Sequence, residues 1–107
     1  MTLLELVIYF RNGGTYQEFC QNLSLDKESE VIEIYVEAPY GFHNKLGFFS
    51  IEETKGSLNY NSNGSDYMNL FDFLYFLDTI MESIESNSKL TDEDLAYRLF
   101  EYAIKDA

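Results

Sequence analysis

Apolar positions recur along this chain in three rhythms: near-continuous, every second residue, and every three to four residues. Residues 2–10 are almost continuously apolar, with Leu3, Leu4, Leu6, Val7, Ile8, Tyr9 and Phe10. Such a run, rich in β-formers, predicts a central strand buried on both faces. Arg11-Asn12-Gly13-Gly14 supplies the turn that ends it. In Thr15-Tyr16-Gln17-Glu18 a hydroxyl precedes a carboxylate by three residues, the spacing of a capping box. Tyr16, Phe19, Cys20 and Leu23 then follow at helical intervals, so a short helix is expected over residues 16–24, with Asp26-Lys27 as the loop after it.

The middle of the chain changes to period two. In residues 31–37, Ile32, Ile34 and Val36 share one face of a predicted strand, and Glu33, Tyr35 and Glu37 share the other. Ala38-Pro39-Tyr40-Gly41 breaks it, because proline cannot donate to the ladder. Residues 47–54 and 57–61 read as a hairpin around Lys55-Gly56, followed by a polar loop at Asn61-Ser62-Asn63-Gly64.

The longest helical signal covers residues 66–86. Tyr67, Leu70, Phe71, Leu74, Leu77, Met81 and Ile84 follow the 3.6-residue period, and Phe73, Phe76 and Ile80 add a second apolar stripe. A helix with two such stripes is expected to be buried on more than one side. Ser86-Asn87-Ser88 ends it. A last helix starts at Thr91 as N-cap, with Asp92, Glu93 and Asp94 where the macrodipole favours acids and Leu95, Leu99, Tyr102 and Ala103 on its inner face. The expectation is a single α+β domain over residues 1–107, in the order β-α-β-β-β-α-α. It would be an antiparallel-rich sheet of about four strands, covered on one side by two or three helices.

Composition sharpens the functional reading through charge. Nineteen acids against seven bases give a formal net charge of −12 over 107 residues. The excess is concentrated in residues 28–88, where only Lys45 and Lys55 oppose the acids. Such a field repels nucleic acid and anionic membranes and attracts cationic surfaces. It also serves solubility, whatever the partner. The N-terminal apolar run carries Glu5 and lacks a basic leader region and a cleavage site, so a signal peptide is not expected. No run approaches the length of a membrane span. With Cys20 as the only cysteine, no internal disulfide is possible, which fits a reducing cytoplasm.

Catalytic patterns are not evident. Cys20 sits on the apolar face of a short helix and reads as a buried structural thiol. His43, the only imidazole, lies in Tyr40-Gly41-Phe42-His43, a segment that either forms an interface tip or tucks onto the core. One Cys and one His cannot build a structural zinc site without carboxylates, and Asp92-Glu93-Asp94 lacks the spacing of a calcium loop. Asn12-Gly13-Gly14 lacks the lysine and flanking glycines of a phosphate loop. No enzyme activity, cofactor or metal is therefore expected. A small enzyme or ligand-binding domain using Cys20 or His43 is the reading from another class.

What remains is surface. Glu33, Tyr35 and Glu37 on the outer face of their strand, and Asp72, Asp78, Glu82 and Glu85 on exposed parts of the long helix, are the candidate partner-binding residues. Carboxylates accept charge-assisted bonds from Lys and Arg, and Tyr supplies anchor area.

Small size, a single domain, strong acidity and the lack of a catalytic pattern together resemble the immunity proteins of bacterial toxin systems, such as contact-dependent growth inhibition and the nuclease colicins. The resemblance is spread over the whole chain and carries over no individual residue. It implies a cytoplasmic antitoxin-like inhibitor that covers the cationic active-site cleft of a basic toxin, a nuclease, without binding nucleic acid or membrane itself. The alternative is a phage-type nucleic-acid mimic that inhibits a host DNA-binding or defence protein.

Overall fold

A computed structural model describes residues 1–25, 28–86 and 89–105; the loop assigned to Asp26-Lys27 and the helix end assigned to Asn87-Ser88 fall outside the described residues. The elements in chain order are α1 (Leu3–Arg11), α2 (Tyr16–Asn22), β1 (Ile32–Glu37), β2 (Leu46–Ser50), α3 (Ile51–Thr54), β3 (Asn59–Ser62), β4 (Ser65–Asp72), α4 (Phe73–Glu85) and α5 (Asp92–Lys105). The class is α+β, with four antiparallel strands in one curled sheet of order β2-β1-β4-β3. The element order differs from the expected one at three places, each with a local cause.

The apolar run at the N-terminus is a helix, not a strand. Thr2 accepts a hydrogen bond from the Glu5 backbone, and its own backbone N–H donates to the Glu5 carboxylate at 2.9 Å, which closes a capping box. Leu3, Leu6, Val7 and Phe10 are the buried residues, at the i, i+3, i+4, i+7 spacing of a helix face. Arg11 occupies the last turn, where a cation suits the macrodipole.

The strand content comes instead from Ser65–Asp72, read from sequence as the first turns of the long helix. Against β1 the register runs Ile34↔Phe71 and then Tyr35↔Asn69, so a bulge at Leu70 interrupts the alternation. Leu70 and Phe71 both enter the core, and with Tyr67 they mimic helical spacing. Asp72 ends the strand and caps α4 by accepting from the Tyr75 N–H at 2.7 Å.

The expected hairpin around Lys55-Gly56 also does not form. Its two arms are β2 and β3, which lie at opposite edges of the sheet. The real hairpins are β1–β2 and β3–β4, the latter turning at Asn63-Gly64, whose φ values of 53° and 86° suit a two-residue hairpin turn. Between β2 and β3 the chain crosses the sheet: Thr54 bonds Glu33 of β1, and the Ser57 carbonyl receives the Tyr35 hydroxyl at 2.6 Å.

Helices cover the other face. Ile32, Ile34 and Val36 of β1, Leu46, Leu70 and Phe71 pack with Phe73, Phe76 and Ile80 of α4 and Leu95, Ala96, Leu99 and Ala103 of α5. The α1 helix adds Phe10, whose ring meets those of Phe19, Phe73 and Phe76 with centroids 5.5–5.7 Å apart. Arg11 ties α1 to the start of α5, donating to the Leu90 carbonyl and to Asp92 at 3.0 Å each.

Candidate functional site

The seven candidate residues fall into two groups with different environments. Glu33, Tyr35 and Glu37 do share a face of β1, but that face is not open surface. Tyr35 is 0% exposed. Gly47 lies opposite it, and a Cβ there would approach Phe49 Cε2 to 2.7 Å and Tyr67 Cε1 to 2.8 Å. The missing side chain lets the rings of Phe49 and Tyr67 meet at 5.1 Å, and Tyr35 and Tyr60 complete a four-ring cluster. The α3 helix and the residues after it cover this face: Thr54 donates to Glu33, the Ser57 carbonyl accepts from Tyr35 and Glu53 accepts from Tyr60.

The acids of this face are occupied. One Glu33 oxygen accepts from Thr54 Oγ1 at 3.0 Å and the other from Asn69 Nδ2 at 2.9 Å. Glu37 accepts from the Tyr67 hydroxyl at 3.4 Å; burial, and then the Glu37 charge, raise that phenol above its ordinary value. Tyr60 is raised by its hydrogen bond to Glu53. Nearby, Glu52 is lowered because the Ser29 hydroxyl and the Glu30 N–H donate to it. Sequence alternation identified the face and missed the lid, because the lid comes from a connection that sequence reading assigned to a hairpin.

The second group lies on α4. Asp72 is its cap, half-buried and committed to the Tyr75 N–H. Asp78, Glu82 and Glu85 are exposed, and their side chains hold no hydrogen bond or ion pair among the described residues. The ion pairs among those residues are Arg11–Asp92 and Lys105–Glu101, and neither includes a residue of α4. No Lys or Arg occurs within Phe73–Glu85. Three arrangements on this helix are electrostatically unfavourable. Asp78 and Glu82 are like charges at i,i+4, Glu82 and Glu85 are like charges at i,i+3, and Glu82 and Glu85 sit at the negative end of the macrodipole.

Of the two apolar stripes of α4, both expected to be buried, only one is. The stripe containing Phe73, Phe76 and Ile80 is the buried one. Leu74, Met81 and Ile84, expected inside, are 59%, 57% and 52% exposed, with Leu77 half-buried between them. Burial on more than one side, expected from two stripes, is not met within the described chain. Sequence contained both stripes but not the choice between them, since each has helical spacing.

Other groups are absorbed by the fold. Cys20 is fully buried beside Tyr16, whose hydroxyl is pushed up to about 12 by burial and by contact with the thiol. Phe42 tucks onto α5, stacked on Tyr97 at 4.0 Å, while His43 is exposed. A cleft of about 280 Å³ between α4 and α5 is lined by Tyr75, Thr79, Glu82, Arg98 and Leu99 among others. Among the described residues no cluster of three or more His, Cys, Asp or Glu is arranged to hold a metal ion, and no helix is long and apolar enough to cross a membrane. Compared with known proteins, the chain matches no family model, no curated protein and no solved structure.

Proposed function

We propose that this chain is an inhibitory binding protein of the immunity type, which captures a basic protein toxin, a nuclease, and neutralises it by covering a cationic cleft. The observation that carries the reading is the set of exposed carboxylates Asp78, Glu82 and Glu85, none of them in an ion pair among the described residues. Like charges at i,i+4 and i,i+3, and acids at the negative end of the macrodipole, are unfavourable to the helix by itself. A local arrangement that weakens the fold without a compensating contact marks a place selected for something else. A net charge of −12 extends the attraction beyond contact range and speeds encounter with a positive partner. The work would be done in a reducing cytoplasm, where Cys20 stays a thiol.

The test is affinity capture from the cells that make the protein, followed by assay of the captured partner. A basic partner should lose its activity at one equivalent of the chain. The association rate should fall about tenfold or more between low and physiological salt, as exposed charges are screened. A neutral or acidic partner, an activity indifferent to binding, or a salt-independent association rate would remove the reading.

A further inference from the structure

The exposed stripe of α4 has more order than a scatter of surface apolar residues. Leu74, Leu77, Met81 and Ile84 are spaced three, four and three residues apart, the seam along which one helix packs on another. Asp78 and Glu85 each follow directly on a half-buried or exposed seam residue (Leu77 and Ile84) and so flank the seam on its solvent side, seven residues apart. In paired helices that flanking position holds the charges that choose the partner. The other flank is the helix's own core stripe, Phe73 and Ile80. The seam spans about 15 Å at the helical rise.

We infer that this seam is the docking site for an amphipathic helix of the basic partner, one with apolar residues at the same spacing and Lys or Arg facing Asp78 and Glu85. The inference rests on the basic-partner reading and adds to it the face used and the kind of element received. Charge complementarity selects this occupant. A second copy of the chain would bring −12 against −12 and acid against acid along the seam. An uncharged apolar helix would leave Asp78 and Glu85 desolvated without partners.

The experiment titrates the isotope-labelled full chain with a synthetic peptide of Leu and Lys, about 18 residues long so that it can hold a helix. Its leucines are set at three-four spacing with lysines beside them, and a control peptide has the same composition in scrambled order. Amide shifts confined to residues 74–85, with the scrambled peptide binding about tenfold or more weaker, are expected. Met81→Ser combined with Ile84→Ser, and separately Asp78→Lys combined with Glu85→Lys, should each abolish the preference for the ordered peptide while amides elsewhere keep their positions. Equal binding of both peptides, or shifts elsewhere on the chain, would overturn the seam and leave the basic-partner reading standing. Failure to bind either peptide would likewise overturn the seam, and the capture experiment decides the basic-partner reading separately. Self-association that Met81→Glu abolishes would assign the seam to a second copy and overturn the inference as well.

Discussion

Tyr35 shows how one residue's role is set by its neighbours rather than by its own alternation. Gly47 leaves the space in which Phe49 and Tyr67 close over the sheet, and Ser57 takes the Tyr35 hydroxyl, so a side chain on the outer face of β1 becomes part of an interior. Tyr35→Phe should lower unfolding stability by about 1–2 kcal/mol in urea denaturation, by removing that hydrogen bond from a buried setting. Glu33 was legible as sharing this face but not as consumed within it, because Thr54 and Asn69 reach it from segments distant in sequence. Charge reversal at Glu33 is therefore expected to damage folding before it affects any partner. Glu52 gives a pH signature. Its folded value lies below the ordinary 4.5, so its contribution is complete above that value and disappears as pH falls through the lowered one. Glu52→Gln should melt below wild type at pH 7, and the gap should close in acid.

At the scale of elements, α1 and α4 carry opposite lessons. The Thr2…Glu5 box and the Leu3, Leu6, Val7, Phe10 spacing were present in the sequence, but a run in which intervening positions are also apolar hides its own period. The β1 strand, α2 and α5 were readable because polar residues interrupt their patterns cleanly and Thr15 and Thr91 cap the helices where expected. The start of α4 was hidden by the bulge at Leu70, which sends two successive residues inward. The exposure of Asp78, Glu82 and Glu85 was legible, since exposure of charge is the default, whereas the capping role of half-buried Asp72 was not. Nor was the exposed apolar stripe beside the acids, because sequence cannot say which of two helical faces meets the sheet. At the end of α4, Glu85→Lys should stabilise the isolated protein by about 0.5–1 kcal/mol, through the macrodipole and relief of repulsion with Glu82. The same substitution should weaken capture of a basic partner. Loss of stability on that change, in the same urea series, would show that the carboxylate supports the fold.

At the scale of the whole molecule, a net charge of −12 sets two salt responses of opposite sign. Screening should weaken attraction to a cationic partner, and it should also relieve self-repulsion in the compact state, so the melting temperature of the free protein should rise with sodium chloride while capture slows. A melting temperature that falls with salt would mean that favourable pairs outweigh the repulsion. The crossing of the chain from β2 to β3 has a separate consequence. It is the only covalent path between the two hairpins, and its midpoint at Lys55-Gly56 is exposed. Severed there, the protein becomes two fragments. One holds α1, α2, β1, β2 and α3, and the other holds β3, β4, α4 and α5. They would share the β1–β4 ladder and the contacts of α1 with α4 and α5, so a cut there divides the molecule through its central strand pair and leaves the uncovered helical seam wholly on the second half.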